Sequence, residues 1–248
     1  MSLTMLIGLI VLPVLALNLL GPLLIWRTQR LPARIRFQPH DEASFMASRD
    51  EVFRGLDADM RGLGFRYLGS SFMRDTHTET NFSLYAHDDQ ACAMVVSIVS
   101  KVKSISYVEF AQLYADGSIL DVTNTPIPSP YPRVDLKIHA RFPEVQATAE
   151  LHARFLALRA TLKNTAQPMP YSADAGFRMV EDFMDRESDL MTRLGYCHPE
   201  VDADGRRPLT LKGAYLLSWR SIFPGRTLRG WREKQRSARL LADASAKA

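Results

Sequence analysis

The sequence predicts an α+β protein: a single N-terminal transmembrane helix, an antiparallel sheet flanked by helices, and a mostly helical C-terminal subdomain. Three observations predict it. Leu3 to Trp26 carries no ionisable side chain. Between Phe65 and Val122, runs of aromatic and β-branched residues alternate with polar turns, the pattern of strands. On both sides of that region, apolar residues recur at three- and four-residue intervals, the pattern of amphipathic helices.

As a helix, the first stretch extends roughly 35 Å at about 1.5 Å per residue, enough to cross a bilayer. A cleavable signal would show a basic n-region, a shorter apolar core and a small-residue cleavage site. No Lys or Arg precedes this run and Arg27 follows Trp26, so it reads as an uncleaved anchor. A buried core helix of this length would normally keep one polar face. Arg27, Arg30, Arg34 and Arg36 crowd its carboxyl side, so the positive-inside tendency places everything after it in the cytoplasm, at an inner or plasma membrane.

Beyond the anchor, charge is segregated. Asp41 to Gly205 holds 16 Lys or Arg against 25 Asp or Glu, whereas Arg206 to Ala248 holds 11 against 2. An acidic body is bracketed by two basic segments. Cys92 and Cys197 stand far apart without metal-type spacing and read as buried thiols.

Prolines at 32 and 39 punctuate a basic juxtamembrane linker over residues 27–40. An α+β domain follows over 41–166. Its first helix starts at Asp41 or at a Ser48/Glu51 capping box and ends at Gly64. Five strands follow: Phe65–Met73, Asn81–His87, Ala91–Val102, Tyr107–Tyr114 and Ser118–Val122, joined by short turns as a meander. Pro126, Pro128, Pro130 and Pro132, with Tyr131, then force an extended segment. It serves as a stiff connector or as a docking ligand for a protein partner. A helix from Pro143 through Lys163 closes the domain, with His152 beside its apolar face as a partly buried histidine holding a backbone partner.

Residues 167–225 form the helical subdomain. Its helix, Ala175 to Leu194, bears Glu181, Asp182, Asp185, Glu187 and Asp189 on one side, read as a solvated acidic face and not as a cation site. Leu190-Met-Thr-Arg-Leu-Gly-Tyr196, Asp202-Ala-Asp-Gly205 and Arg207-Pro-Leu-Thr210-Leu-Lys-Gly213 follow in order. This passage, within residues 190–218, resembles the helix-to-wing passage of winged-helix regulators and implies a wing-like hairpin. No helix-turn-helix pattern precedes it, and an acidic reading helix would be repelled by phosphate, so nucleic acid is not an expected partner. The tail, 226–248, is a basic amphipathic helix. Leu228, Trp231, Ala238, Leu241 and Ala242 share one arc, and Arg226, Arg229, Arg232, Arg236 and Arg239 occupy the other. It suits docking on the acidic body or contact with anionic lipid, to which the juxtamembrane arginines would add.

No nucleophile elbow, phosphate-binding loop, dinucleotide fingerprint or zinc-protease motif is present. His77, His87, His139 and His198 are scattered over separate elements. No catalytic, cofactor or metal-binding residue is assigned. The expected partners are the bilayer through residues 3–26, an anionic lipid surface and a protein partner. The reading that follows is a membrane-tethered, non-enzymatic scaffold or adaptor. The alternative is a membrane-anchored hydrolase or transferase whose site forms only in the fold.

Overall fold

The computed structural model describes residues 3–74, 78–161 and 166–246. His77 and Lys163 lie outside the described residues. The chain forms two compact units, each drawn from three segments. One comprises Arg36–Ile127, Val134–Glu181 and Glu233–Ala248 and is called the sheet unit here. The other, the helix unit, comprises Met1–Ile35, Pro128–Arg133 and Asp182–Arg232. Neither follows the contiguous boundaries read from composition, because the proline segment and the tail helix each divide between the two.

In the sheet unit, α2 (Glu42–Ala47) and α3 (Glu51–Gly62) precede the strands. Each helix has its own cap: Asp41 accepts from Ser44 N at 2.9 Å and Asp50 from Phe53 N at 2.8 Å. Ser48 ends α2 instead of capping α3, so the Ser48/Glu51 box and the single long helix both give way to two short helices. Gly64, at φ +86°, ends α3 as expected of a left-handed stop.

The strands are β2 (Arg66–Arg74), β3 (Thr78–Ala86), β4 (Cys92–Ser100), β5 (Ser104–Tyr114), β6 (Ile119–Thr123) and β7 (Lys137–Arg141), after β1 (Arg30–Pro32) in the helix unit. Strands β2 to β6 form the antiparallel meander, while β7 adds parallel to β6, and β8 (Pro168–Met169) pairs with β5. Strand β7 escaped sequence reading because Lys137-Ile-His-Ala-Arg141 offers only two apolar residues. Helix α4 (Thr148–Thr161) begins later than Pro143, which lies in a preceding turn. One sheet face is sealed by α3, α4 and the end of α7 (Gly225–Ser245), around fully buried Phe53, Met60, Phe110, Phe155 and Leu158. On the other face, Phe37 stacks on Phe177 at 4.6 Å and meets Phe82 edge-on at 5.2 Å.

The helix unit holds α1 (Leu3–Thr28), β1, most of α5 (Arg178–Arg193), β9 (Arg206–Pro208), α6 (Leu211–Ser221) and the start of α7. Strand β1 pairs antiparallel with β9, so residues 30–32 of the juxtamembrane segment are part of this unit. Met191, Tyr196, Cys197, Leu209, Ala214 and Leu217 form its core, with Ile25 and Leu31 packed against it. The chain from Tyr196 to Thr210 is a hairpin, with His198 N donating to the Pro208 carbonyl and Thr210 N to that of Tyr196, both at 2.9 Å. A Cβ at Gly213 would be driven into the Tyr196 carbonyl, which is how α6 can start so close to the hairpin.

Candidate functional site

Two places gather chemistry-bearing side chains. The first is a cross-strand row in the sheet unit. Cys92 pairs with Ala111, Ala111 with Asp121, and Asp121 with His139, one residue from each of β4 to β7. Leu120 and Val122 belong to the core beneath α3 and α4, so strand alternation puts Asp121 on the opposite face. Its side chain is 7% exposed and lies 3.1 Å from Lys137 Nζ and 2.9 Å from His139 Nδ1. Burial alone would raise its carboxyl, but the cation of Lys137 and the contact with His139 hold it well below the usual carboxylate range. An ionised Asp121 accepts from His139 Nδ1, which leaves His139 Nε2 buried without a hydrogen-bond partner among the described residues. With Nδ1 donating, the ring's lone pair lies on Nε2. Cys92 is no nucleophile for it. Burial and the Asp121 charge push its thiol up to about 12, and two strand spacings, roughly 10 Å, separate it from Asp121.

His152 is a different case. Its ring sits among Phe110 at 5.0 Å, Phe65 at 5.5 Å and His87 at 6.3 Å, and its Nε2 finds no hydrogen-bond partner among the described residues. Burial, then His87, keep it below the usual histidine value. It is therefore a neutral ring filling an aromatic cluster, and the expected backbone partner gives way to ring contacts.

The second place is the apolar surface of the helix unit. Among the described residues, α1 is the one helix long and apolar enough to cross a membrane, and only 6% of Val11–Thr28 is buried. Helix α6 packs beside it. Asn18 Nδ2 donates to the Val14 carbonyl at 2.8 Å and to that of Phe223 at 3.0 Å, and the Tyr215 hydroxyl donates to the Leu19 carbonyl at 2.8 Å. These contacts lie beside the Asn18 carbonyl, which Pro22 deprives of its helix donor, and tie α1 to α6 and to the chain just after it.

The arginines read as membrane-facing divide three ways. Arg27 is exposed in the last turn of α1. Arg30 reaches Asp202 at 3.0 Å, and Arg34 grips Asp189 with two hydrogen bonds at 2.8 and 3.1 Å, so the acidic side of the helix unit engages both. Arg36 is exposed at the start of the sheet unit. Arg226 and Arg232 are exposed, and Arg229 donates to the Tyr131 carbonyl. Arg236 is half-buried and Arg239 exposed on the later part of α7, where Leu240, Leu241 and Ala244 pack on the sheet core. That part is fixed by Glu233, which meets the buried Arg141 guanidinium at 3.0 Å, and by Ser237, which accepts from Arg141 N at 2.8 Å. Of the proline segment, Pro128 is buried, Pro126 and Tyr131 are exposed, Pro130 and Pro132 are half-buried, and the Pro130 carbonyl accepts from Arg220. Sequence reading missed the Asp121, Lys137 and His139 grouping, because it depends on the parallel pairing of β6 and β7, which no local spacing encodes.

No protein-family model, curated protein or solved structure matches the chain. Fold and surface define an α+β protein carrying a single apolar N-terminal helix.

Proposed function

We propose that the protein is a membrane-tethered scaffold or adaptor: α1 spans an inner or plasma membrane with its amino end outside, and the remaining chain meets a protein partner in the cytoplasm. The observation that carries this reading is the integration of an exposed apolar helix with the folded chain. Leu12, Leu20 and Leu24 are 67, 63 and 66% exposed, which opposes a soluble core helix. The hydrogen bonds from Asn18 and Tyr215, and the strand at Arg30–Pro32 directly after the helix, oppose a segment that is cut away. Charge asymmetry across α1 supports the orientation. The exposed Pro126 and Tyr131 lie on a conformationally restricted segment, which lowers the entropy lost on docking. A second reading, a membrane-anchored hydrolase or transferase, rests on the buried His139 Nε2.

The full chain carrying, after Ala248, a fluorescent reporter that matures only in the cytoplasm is expected to be fluorescent and to recover the same partner from repeated detergent extracts. Replacing Pro126, Pro130 and Pro132 with Ala is expected to reduce that recovery. A dark fusion contradicts the orientation, and extracts that repeatedly yield no partner contradict the adaptor.

A further inference from the structure

The corner joining α6 to α7 exposes a concentration of large apolar side chains. Trp219, Phe223, Leu228 and Trp231 are 45, 63, 47 and 58% exposed. Single exposed apolar residues are ordinary, but these four lie within a thirteen-residue stretch, whereas the other exposed large apolar side chains of the helix unit outside α1, Tyr131, Leu194, Val201 and Leu211, are spread along the chain. All three tryptophans of the chain belong to the helix unit and are exposed, Trp219 and Trp231 at the corner and Trp26 in the last turn of α1. Tryptophan favours the membrane–water boundary, where its ring is apolar and its N–H remains wet. Arg226 and Arg232 are exposed between and beside these side chains, the arrangement of an interfacial helix.

Position relative to α1 decides what covers the corner. The hydrogen bond from Asn18 to the Phe223 carbonyl and that from Tyr215 to the Leu19 carbonyl fix the corner beside the middle of α1. Phe223 is therefore level with a point about ten residues, roughly 15 Å, before the end of α1. A Cβ at Gly225 would collide with the Trp219 carbonyl, so the close reversal that holds Phe223 there needs glycine.

We propose that the α6–α7 corner is a second membrane-seated element, with Trp219, Phe223, Leu228 and Trp231 in the acyl–headgroup boundary of an anionic leaflet and Arg226 and Arg232 reaching its phosphates. This rests on α1 being a membrane anchor. The depth is consistent. An interfacial helix lies about 5–10 Å into that boundary, so with Phe223 beside Asn18 the acyl–headgroup boundary crosses α1 about three to seven residues later, between Gly21 and Ile25. That leaves Leu3 to about Leu23 in the hydrocarbon, roughly 31 Å of helix against a core of about 30 Å, with Trp26 and Arg27 on the aqueous side.

Tryptophan fluorescence tests this in the full chain, reconstituted in phosphatidylcholine–phosphatidylglycerol vesicles whose acyl chains are brominated near the ester. Two variants report the corner: Trp26→Phe with Trp219→Phe leaves Trp231, and Trp26→Phe with Trp231→Phe leaves Trp219. Each is expected to emit to the blue of tryptophan in water and to lose most of its emission to brominated lipid. Water-like, unquenched emission overturns the proposal. Blue-shifted emission that bromine leaves intact also overturns it and indicates a protein-covered surface, such as a second copy of the chain. Washing the same vesicles with alkaline carbonate separates the two failures: unquenched protein that stays with the lipid overturns the corner alone, whereas protein that washes off overturns the anchor as well.

Discussion

Replacing Asp121 with Ala is expected to destabilise the sheet unit by about 3 kcal/mol at neutral pH, the low end of the range for breaking a buried ion pair. The low end applies because Lys137 and His139 are 26 and 22% exposed in their side chains and regain some hydration when the carboxylate is removed. The pH dependence follows from the direction of the Asp121 shift. Its folded-state value lies below the unfolded one because Lys137 and His139 outweigh burial. Its contribution is therefore present above the unfolded value, near pH 4, and is lost as pH falls from there toward the folded value. Urea unfolding of both proteins in detergent at about pH 7 and about pH 3 checks this: the difference in stability should be large at the first and smaller at the second. A difference that grows on acidification contradicts the assignment of Asp121 as the ionised member.

Phe155→Ala is expected to cost about 4 kcal/mol, within the range for emptying a buried aromatic site. Phe155 has no exposed surface. Its ring lies 5.8 Å from that of Phe110 and 6.2 Å from that of His152, and the Arg159 guanidinium covers it at 5.4 Å. These neighbours come from β5 and α4, and strand and helix cannot both collapse into the void, so most of the cavity should persist. Phe155→Leu retains most of the volume and should cost about 1 kcal/mol. Thermal unfolding of the two variants should therefore give well-separated midpoints. Equal midpoints would mean that this ring does not hold α4 on the sheet.

Much of the architecture follows from local sequence. The five meander strands fall within a few residues of the runs read from aromatic and β-branched content, and the Gly64 stop is local chemistry. What could not be read depends on distant pairing. Strand β7 lacks an apolar signature and exists because β6 accepts it in parallel, and β1 exists because Arg206–Pro208 returns to pair with it. The Asp121–His139 contact inherits this non-locality. Ser48 was a plausible cap by spacing, yet Asp50 stands one residue before α3 and takes the Phe53 amide. The tail shows the same limit. Its two-faced pattern identifies a helix but not what covers each part, and the structure divides it between Leu240, Leu241 and Ala244 on the sheet core and exposed Leu228 and Trp231 near its start.

The most direct measurement is an alkaline carbonate wash of membranes from cells producing the full chain. The tethering account predicts that the intact polypeptide stays in the pellet, because α1 remains among lipid tails whether or not peripheral charge contacts are stripped away. Release of the intact polypeptide into the supernatant would contradict it.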